Sequence, residues 1–407
     1  MPPIHLVCAL AGAAATVWTY YPGAMSIDSA AQLTEARSLS FSDAHPPFLA
    51  LLWGVTDRVI PGPGGLLVTQ TAVFWYGLYL IARRFTPLVF VVALMPPVFS
   101  ILGALWKDIM MAGALLVAFG FSSRSKLFWV AIVIACLTRH NAIIAALPLI
   151  ALHFGWRPLA TALASVVLVL LVVASNRVLT ERRGYPAQII ALFDLSGIAW
   201  VVGEEPDLPP CFRKSNGSVR DSYDPRSVGY LTAKDAPLTY CYSSSDVDDL
   251  LLRWWEVVRN RPLAYLRHRA RVGFEFLGVH RTPSDYLMVS TNFPPEFFPR
   301  LEVDRLQSPK LDRWFRSIET RGVFRPWPYL VVGMLGLALA WFHREWGCVA
   351  LAASGIAYEA ALLLVAPSSD YRYSHWMVTS ALVAAVCLAA RLWRDVAARR
   401  SGRSLLY

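Results

Sequence analysis

Charge is what this 407-residue chain has least of. Asp, Glu, Lys and Arg make up 16% of it, against 56% hydrophobic residues and a mean hydropathy of +0.45. Soluble domains carry roughly 25% charged residues, so much of the chain must face something other than water. The same shortage, beside 15 Trp, excludes disorder, coiled coil and collagen. No internal repeat is visible. Nor is there one basic cluster: 22 of the 38 basic residues lie between Arg177 and Arg325, among 19 of the 28 acids. The net charge of +10 is therefore spread along connections, as topology selection spreads it, and no nucleic-acid partner is expected. Residues 1–20 lack a basic leading segment and a small-residue cleavage site, so they read as a membrane helix rather than a signal peptide.

Cysteine is also scarce, at six. Cys8, Cys136, Cys348 and Cys387 sit in apolar runs, where a lone Cys is usually a small packing residue. Cys211 and Cys241 fall in a loop-rich stretch. A disulfide between them would close a loop of about 30 residues and contribute about 3–4 kcal/mol, and an oxidising compartment would let it persist. The triplet Asn216-Gly217-Ser218 in the same stretch carries no weight.

What is there is apolar runs, at 4–20, 66–82, 86–105, 108–121, 127–138, 142–155, 158–175, 326–342, 346–366 and 375–390. Several are shorter than the roughly 20 residues that span a bilayer alone. The stretch 127–155 contains Thr138, Arg139, His140 and Asn141 and reads as either two short spans or one broken one. The expected fold is an all-α polytopic membrane protein with about ten transmembrane helices and a mid-chain extracytoplasmic insertion. With the N-terminus in the cytoplasm, Arg83, Arg84, Arg124, Lys126, Arg157, Arg344 and the tail Arg391, Arg394, Arg399, Arg400 and Arg403 fall inside. Only Arg37, Arg58, Lys107, Arg139 and Arg372 fall on short external connections, as the positive-inside bias requires. Both termini are then cytoplasmic.

Three parts follow: an N-terminal membrane module, 1–175, with a first external loop at 21–65; an external insertion, 176–325; and C-terminal membrane helices with a basic tail, 326–407. In the first loop, 46–60 reads as a helix on the outer surface. In the insertion, 203–245 reads as loops, and 246–277 as an amphipathic helix pair broken at Pro262, with Trp and Arg suited to a membrane surface.

The candidate chemistry gathers at the external side. Asp28 comes shortly beyond the first span, where a carboxylate can act as general base toward a hydroxyl or simply cap or charge the helix expected from Ser29 to Ser38. Ser42-Asp43-Ala44-His45-Pro46-Pro47, Trp106-Lys107-Asp108, Arg139-His140-Asn141 and Ser368-Ser369-Asp370-Tyr371-Arg372-Tyr373 share that depth. Ionisable residues beside spans are functional candidates or interfacial snorkels. Lys107, Arg139 and Arg372 on one leaflet suit an anionic lipid head group, Arg as a bidentate phosphate partner and Lys as a point charge.

The Asp28 loop, His45-Pro46-Pro47, Leu105-Trp106-Lys107-Asp108, Thr138-Arg139-His140-Asn141 and Tyr371-Arg372-Tyr373 together resemble membrane glycosyltransferases of the GT-C fold. These include bacterial relatives of the protein mannosyltransferases and the lipid A aminoarabinose transferase. The segment Trp254 to Leu277, with Asn260-Arg261-Pro262, is similar to one in bacterial members. The likeness covers most of the membrane part, in order, through short motifs. It implies transfer of a sugar from a polyprenyl-phosphate carrier to a glycan or glycolipid acceptor, outside a bacterial cytoplasmic membrane. It implies Asp28 as catalytic base and Lys107, Arg139 and Arg372 on the donor phosphate. Asp43, His45, Asp108, Asn141, Tyr371 and Tyr373 are the expected substrate-binding residues. The C-terminal soluble domain of many relatives has no counterpart, and the insertion lies in mid-chain, so acceptor recognition does not carry over. No cofactor is expected. Asp28, Asp43 and His45 could ligate a divalent metal, but their spacing matches no tight motif. The competing readings are a transporter or flippase for a lipid-linked or anionic substrate, and a non-catalytic membrane assembly partner.

Overall fold

The computed structural model describes residues 3–121, 125–214, 217–284, 286–287 and 309–400. Arg124, Asn216 and Arg403 lie outside the described residues. The protein is a mostly helical membrane protein. Its helices in chain order are α1 (Pro3–Tyr20), α2 (Ile27–Ser38), α3 (Pro47–Val59), α4 (Gly64–Arg84), α5 (Val89–Leu94), α6 (Pro96–Phe99), α7 (Lys107–Phe121), α8 (Lys126–Thr138), α9 (Ala142–His153) and α10 (Pro158–Leu179). After these come α11 (Ala187–Val202), α12 (Gly229–Thr232), α13 (Ser244–Asn260), α14 (Pro262–Phe276), α15 (Pro309–Glu319), α16 (Pro326–Phe342), α17 (Trp346–Val365) and α18 (His375–Arg400). Among the described residues, α4, α10, α17 and the stretch Tyr371–Arg400 are long and apolar enough to cross a membrane. The shorter helices α1, α8, α9, α11 and α16 are also apolar.

Three sequence expectations change shape. The run 86–105 is not one helix. It breaks into α5 and α6 at Met95-Pro96-Pro97, and 100–106 continues as turns, because two consecutive prolines remove two amide donors and fix their φ angles. The stretch 127–155 resolves into two helices, α8 and α9, separated by Arg139–Asn141. The insertion contains an apolar helix, α11, that its loop-rich composition hid. Among the described residues, 203–245 holds a short turn of helix at Pro210–Phe212, α12 and the first residues of α13, and 246–277 falls in two helices divided before Pro262.

One large apolar core joins the membrane helices and the first loop. A second core belongs to the insertion, built from Leu192, Phe193, Leu195 of α11, Phe212, Leu231, Leu238, Val247 and Leu250 of α13 and Val272 of α14. Cys211 and Cys241 are bonded across it. Its polar centre is Asp194, fully buried. One oxygen meets His268 Nε2 at 2.9 Å and Arg269 Nη2 at 2.7 Å; the other accepts from Trp254 Nε1 at 2.8 Å. Tyr223 Oη closes the chain on His268 Nδ1 at 2.8 Å.

The insertion is stitched to the membrane part through the segment after α17. Arg269 Nη1 donates to Ala366 O, Val228 N to Pro367 O, Ser369 N to Arg226 O and Tyr371 N to Ser284 O, all within 2.9 Å. A second tie is a short parallel pair, β1 (Phe41–Ser42) with β2 (Thr180–Arg182).

Candidate active site

The first loop is pinned to the turn that precedes α7. Ala24 N donates to Gly103 O and Leu105 N to Ala24 O, each at 2.9 Å. Ser29 Oγ donates to Leu105 O, also at 2.9 Å, and Trp106 Nε1 to Ser26 Oγ at 2.9 Å. From below, Gln70 Nε2 on α4 donates to Leu102 O and Ala104 O. The approach needs Gly103, because a Cβ there would stand 2.1 Å from the Tyr20 ring. It also needs Gly23, whose φ of +113° few side chains tolerate.

That stitching fixes α2. Its N-cap is Ser26, which accepts from Ser29 N while Ser29 Oγ accepts from Ser26 N. Asp28 is therefore not the cap. It sits in the first turn, where the helix dipole favours a carboxylate, with its side chain 32% exposed.

Arg372 reaches Asp28 from the far end of the chain. Its Nη1 donates to Asp28 Oδ2 at 2.7 Å, and its Nη2 lies 3.2 Å from Asp370 Oδ2. The guanidinium is held between the rings of Trp106 and Tyr373, each centroid 5.1 Å away, an arrangement that favours a cation. Lys107 Nζ lies 2.8 Å from His45 Nδ1. An ammonium can only donate, so Nδ1 accepts and the His45 proton sits on Nε2. Arg139 forms a buried ion pair with Asp108, its Nε donates to Asn141 Oδ1 at 2.9 Å, and its guanidinium lies 5.0 Å from the Tyr373 ring.

The electrostatics follow. Burial works to raise the Asp28 pKa, but Arg372, His45 and Lys107 together outweigh it and hold the carboxyl well below the usual carboxylate range. Burial, with the Lys107 charge beside it, pushes His45 down to about 3, so it is neutral at physiological pH. Three cations, Lys107, Arg139 and Arg372, thus meet three carboxylates, Asp28, Asp108 and Asp370. Of the three cations, Lys107 rests on a neutral imidazole.

Asp28, His45, Lys107, Asp108, Arg139, Asn141, Arg372 and Tyr373 are brought together. Two expected substrate-binding residues are not. Asp43 Oδ1 accepts from Gly184 N at 2.5 Å, and Arg183 lies 3.8 Å from its other oxygen. It fastens the first loop to the strand after α10. Tyr371 is fully buried and its hydroxyl donates to Pro97 O at 2.7 Å, bracing the broken run instead of facing the cluster. Asp43 thus parts from Asp28 and His45, and among the described residues no group of three or more His, Cys, Asp or Glu side chains is placed to hold a metal ion. Trp106 and Asp370 belong to the cluster although their motifs gave them no role. The signal was adjacency: each lies within two residues of a cation singled out from the sequence.

Comparison with protein-family models, with curated proteins and with solved structures finds no match.

Proposed function

We propose that this protein is a GT-C type membrane glycosyltransferase. In this reading it moves a sugar from a polyprenyl-phosphate carrier to a glycan or glycolipid acceptor. About ten spans, cytoplasmic termini and an extracytoplasmic site in a bacterial cytoplasmic membrane belong to the same proposal. The observation that carries it is the 2.7 Å contact between Asp28 and Arg372, with Lys107–His45 and Arg139–Asp108 beside it. A carboxylate with an exposed edge and several cations is the set that glycosyl transfer from a phosphate requires.

The acceptor hydroxyl oxygen attacks the anomeric carbon and gives its proton to Asp28. The bond from that carbon to the phosphate oxygen breaks, and the lipid phosphate leaves with the electron pair. The transition state is oxocarbenium-like. Phosphate is already a good leaving group, so no paired acid is required, and cations stabilise the charge building on it. While Arg372 holds Asp28, the carboxylate is a weak base. A donor phosphate that draws Arg372 toward itself raises the basicity of Asp28 at the moment the acceptor must be deprotonated. Lys107, kept in place by neutral His45, is the second contact to that phosphate. Arg139 is committed to Asp108 and acts on the site through the Tyr373 ring it shares with Arg372.

The test is a screen of the purified protein against a panel of polyprenyl-phosphate sugars, with Asp28→Asn alongside. Consumption of one donor by the wild type and not by the variant supports the reading. Donor left intact throughout, with vesicle-reconstituted protein carrying labelled lipid across the bilayer, would replace it with the transporter or flippase.

A further inference from the structure

The helix α14 turns two unlike faces outward and inward. Inward, His268, Val272 and Phe276 are buried within the fold. Outward, Leu263, Leu266, Ala270 and Phe274 follow one another at intervals of three and four residues and are all exposed, Leu263 at 71%, Leu266 at 57% and Phe274 at 49%. That interval places them on a single stripe. Arg267 and Arg271, both exposed, lie one turn apart along one edge of it, the Arg271 guanidinium resting 4.0 Å from the centre of the Trp200 ring. The acid on this helix, Glu275, is buried and paired with Arg281 at 2.8 Å.

The neighbours of α14 fix its height. Leu277 O, just past its end, accepts from Trp327 N at the start of α16. Arg269 bonds Ala366 O at the end of α17, and a Cβ on Gly273 would stand 3.3 Å from Leu363. The helix therefore lies across the ends of α16 and α17, on the side of the candidate site. On α16, Val331, Met334 and Leu335 are exposed as well. The partner helix α13 is different. Val247 and Leu250 bury its inner face, while its outer face mixes Leu252 and Trp255 with Asp248 and Glu256.

We propose that α14 is a docking surface for the anionic leaflet next to the candidate site, with Leu263, Leu266 and Phe274 in the acyl boundary and Arg267 and Arg271 on phosphate head groups. An apolar stripe of this kind in water is costly, and helices built this way lie in the plane of the interface. Basic residues near an anionic surface add electrostatic attraction to the apolar contact. The amphipathic pair expected from the sequence is thereby split, α14 to the lipid and α13 to the insertion. The inference rests on the membrane helices and is independent of glycosyl transfer.

Nitroxide labels at Leu266→Cys, Phe274→Cys and Glu256→Cys, in full-length Cys8→Ser protein reconstituted in phosphatidylcholine vesicles with and without phosphatidylglycerol, test it. Power saturation with oxygen and a water-soluble nickel chelate should place positions 266 and 274 about 5–10 Å below the phosphates and position 256 in water. With Arg267→Glu and Arg271→Glu together, the first two should become shallower in the phosphatidylglycerol vesicles. Labels at 266 and 274 as aqueous as the one at 256 would overturn the proposal. So would spin–spin broadening at 266 that vanishes on dilution with unlabelled protein, since a second copy would then cover the stripe. Equal depth with and without phosphatidylglycerol, unchanged by the charge reversal, would overturn the head-group contact.

Discussion

Arg372 and Asp28, separated by 344 residues, share a hydrogen-bonded ion pair of 2.7 Å in which the guanidinium is also braced by Asp370. The pair joins the segment after α1 to the segment after α17, so a change at either end is felt by both. Arg372→Lys keeps the charge but replaces the planar fork between Asp28 and Asp370 with a single point charge. Loss of a charged hydrogen bond of about 1.5–3 kcal/mol should raise the half-saturation for the lipid donor by about 10-fold or more. Titration of turnover against donor concentration checks this, and an unchanged half-saturation would remove Arg372 from the phosphate site.

Asp28→Asn keeps the shape and removes the proton acceptor. Turnover should fall by about 100-fold to 10,000-fold, the usual contribution of a positioned base, while donor binding stays within about twofold. Binding measured by equilibrium exchange of labelled donor, beside turnover, separates the two. Near wild-type turnover would disqualify the carboxylate as base.

Arg139→Ala tests a different role. Its partner Asp108 is buried with it, and removing one member of a buried pair costs about 3–5 kcal/mol. Thermal unfolding in detergent should drop steeply for Arg139→Ala. Arg139→Met combined with Asp108→Leu should recover most of that loss, because no lone charge is left behind. A single variant as stable as the wild type would show that the pair is not dry.

His45 gives a pH signature. Its folded pKa, about 3, lies below the ordinary value near 6.5, so the unfolded chain takes up a proton that the folded one refuses. The contribution is complete above about pH 6.5 and falls by up to about 1.4 kcal/mol per pH unit below it. Melting temperatures measured from pH 7 to pH 5 should therefore decline less in His45→Gln than in the wild type. Parallel slopes would place the acid sensitivity elsewhere.

In the insertion, Cys211→Ser with Cys241→Ser should lower stability by about 3–4 kcal/mol for a loop of this length. Asp194→Ala should cost a further few kcal/mol, about 3–5, by stranding Arg269. Limited proteolysis read by mass spectrometry should show both variants cleaved first between 203 and 245.

The sequence carried what depends on composition and local order. Scarce charge and long apolar runs announced a membrane protein, and Pro262 marked the division between α13 and α14. The association of Asp28, Lys107, Arg139 and Arg372 could be suspected because all four sit at the ends of apolar runs. Contacts that need three dimensions were not legible. Nothing near Tyr371 says that its hydroxyl goes to Pro97, and nothing near Asp43 names Gly184. The run 86–105 is apolar enough for a span, but hydropathy does not count amide donors, and Pro96-Pro97 removes two. The helix α11 was masked by the polar stretch that follows it.

The segment 366–371 takes its main-chain partners from Arg226, Val228 and Ser284, then leads straight into Arg372. The block between 176 and 325 is consequently not an exchangeable cassette. A chimera carrying a foreign block of equal size could keep every membrane helix and still lose the register of the residue that faces Asp28.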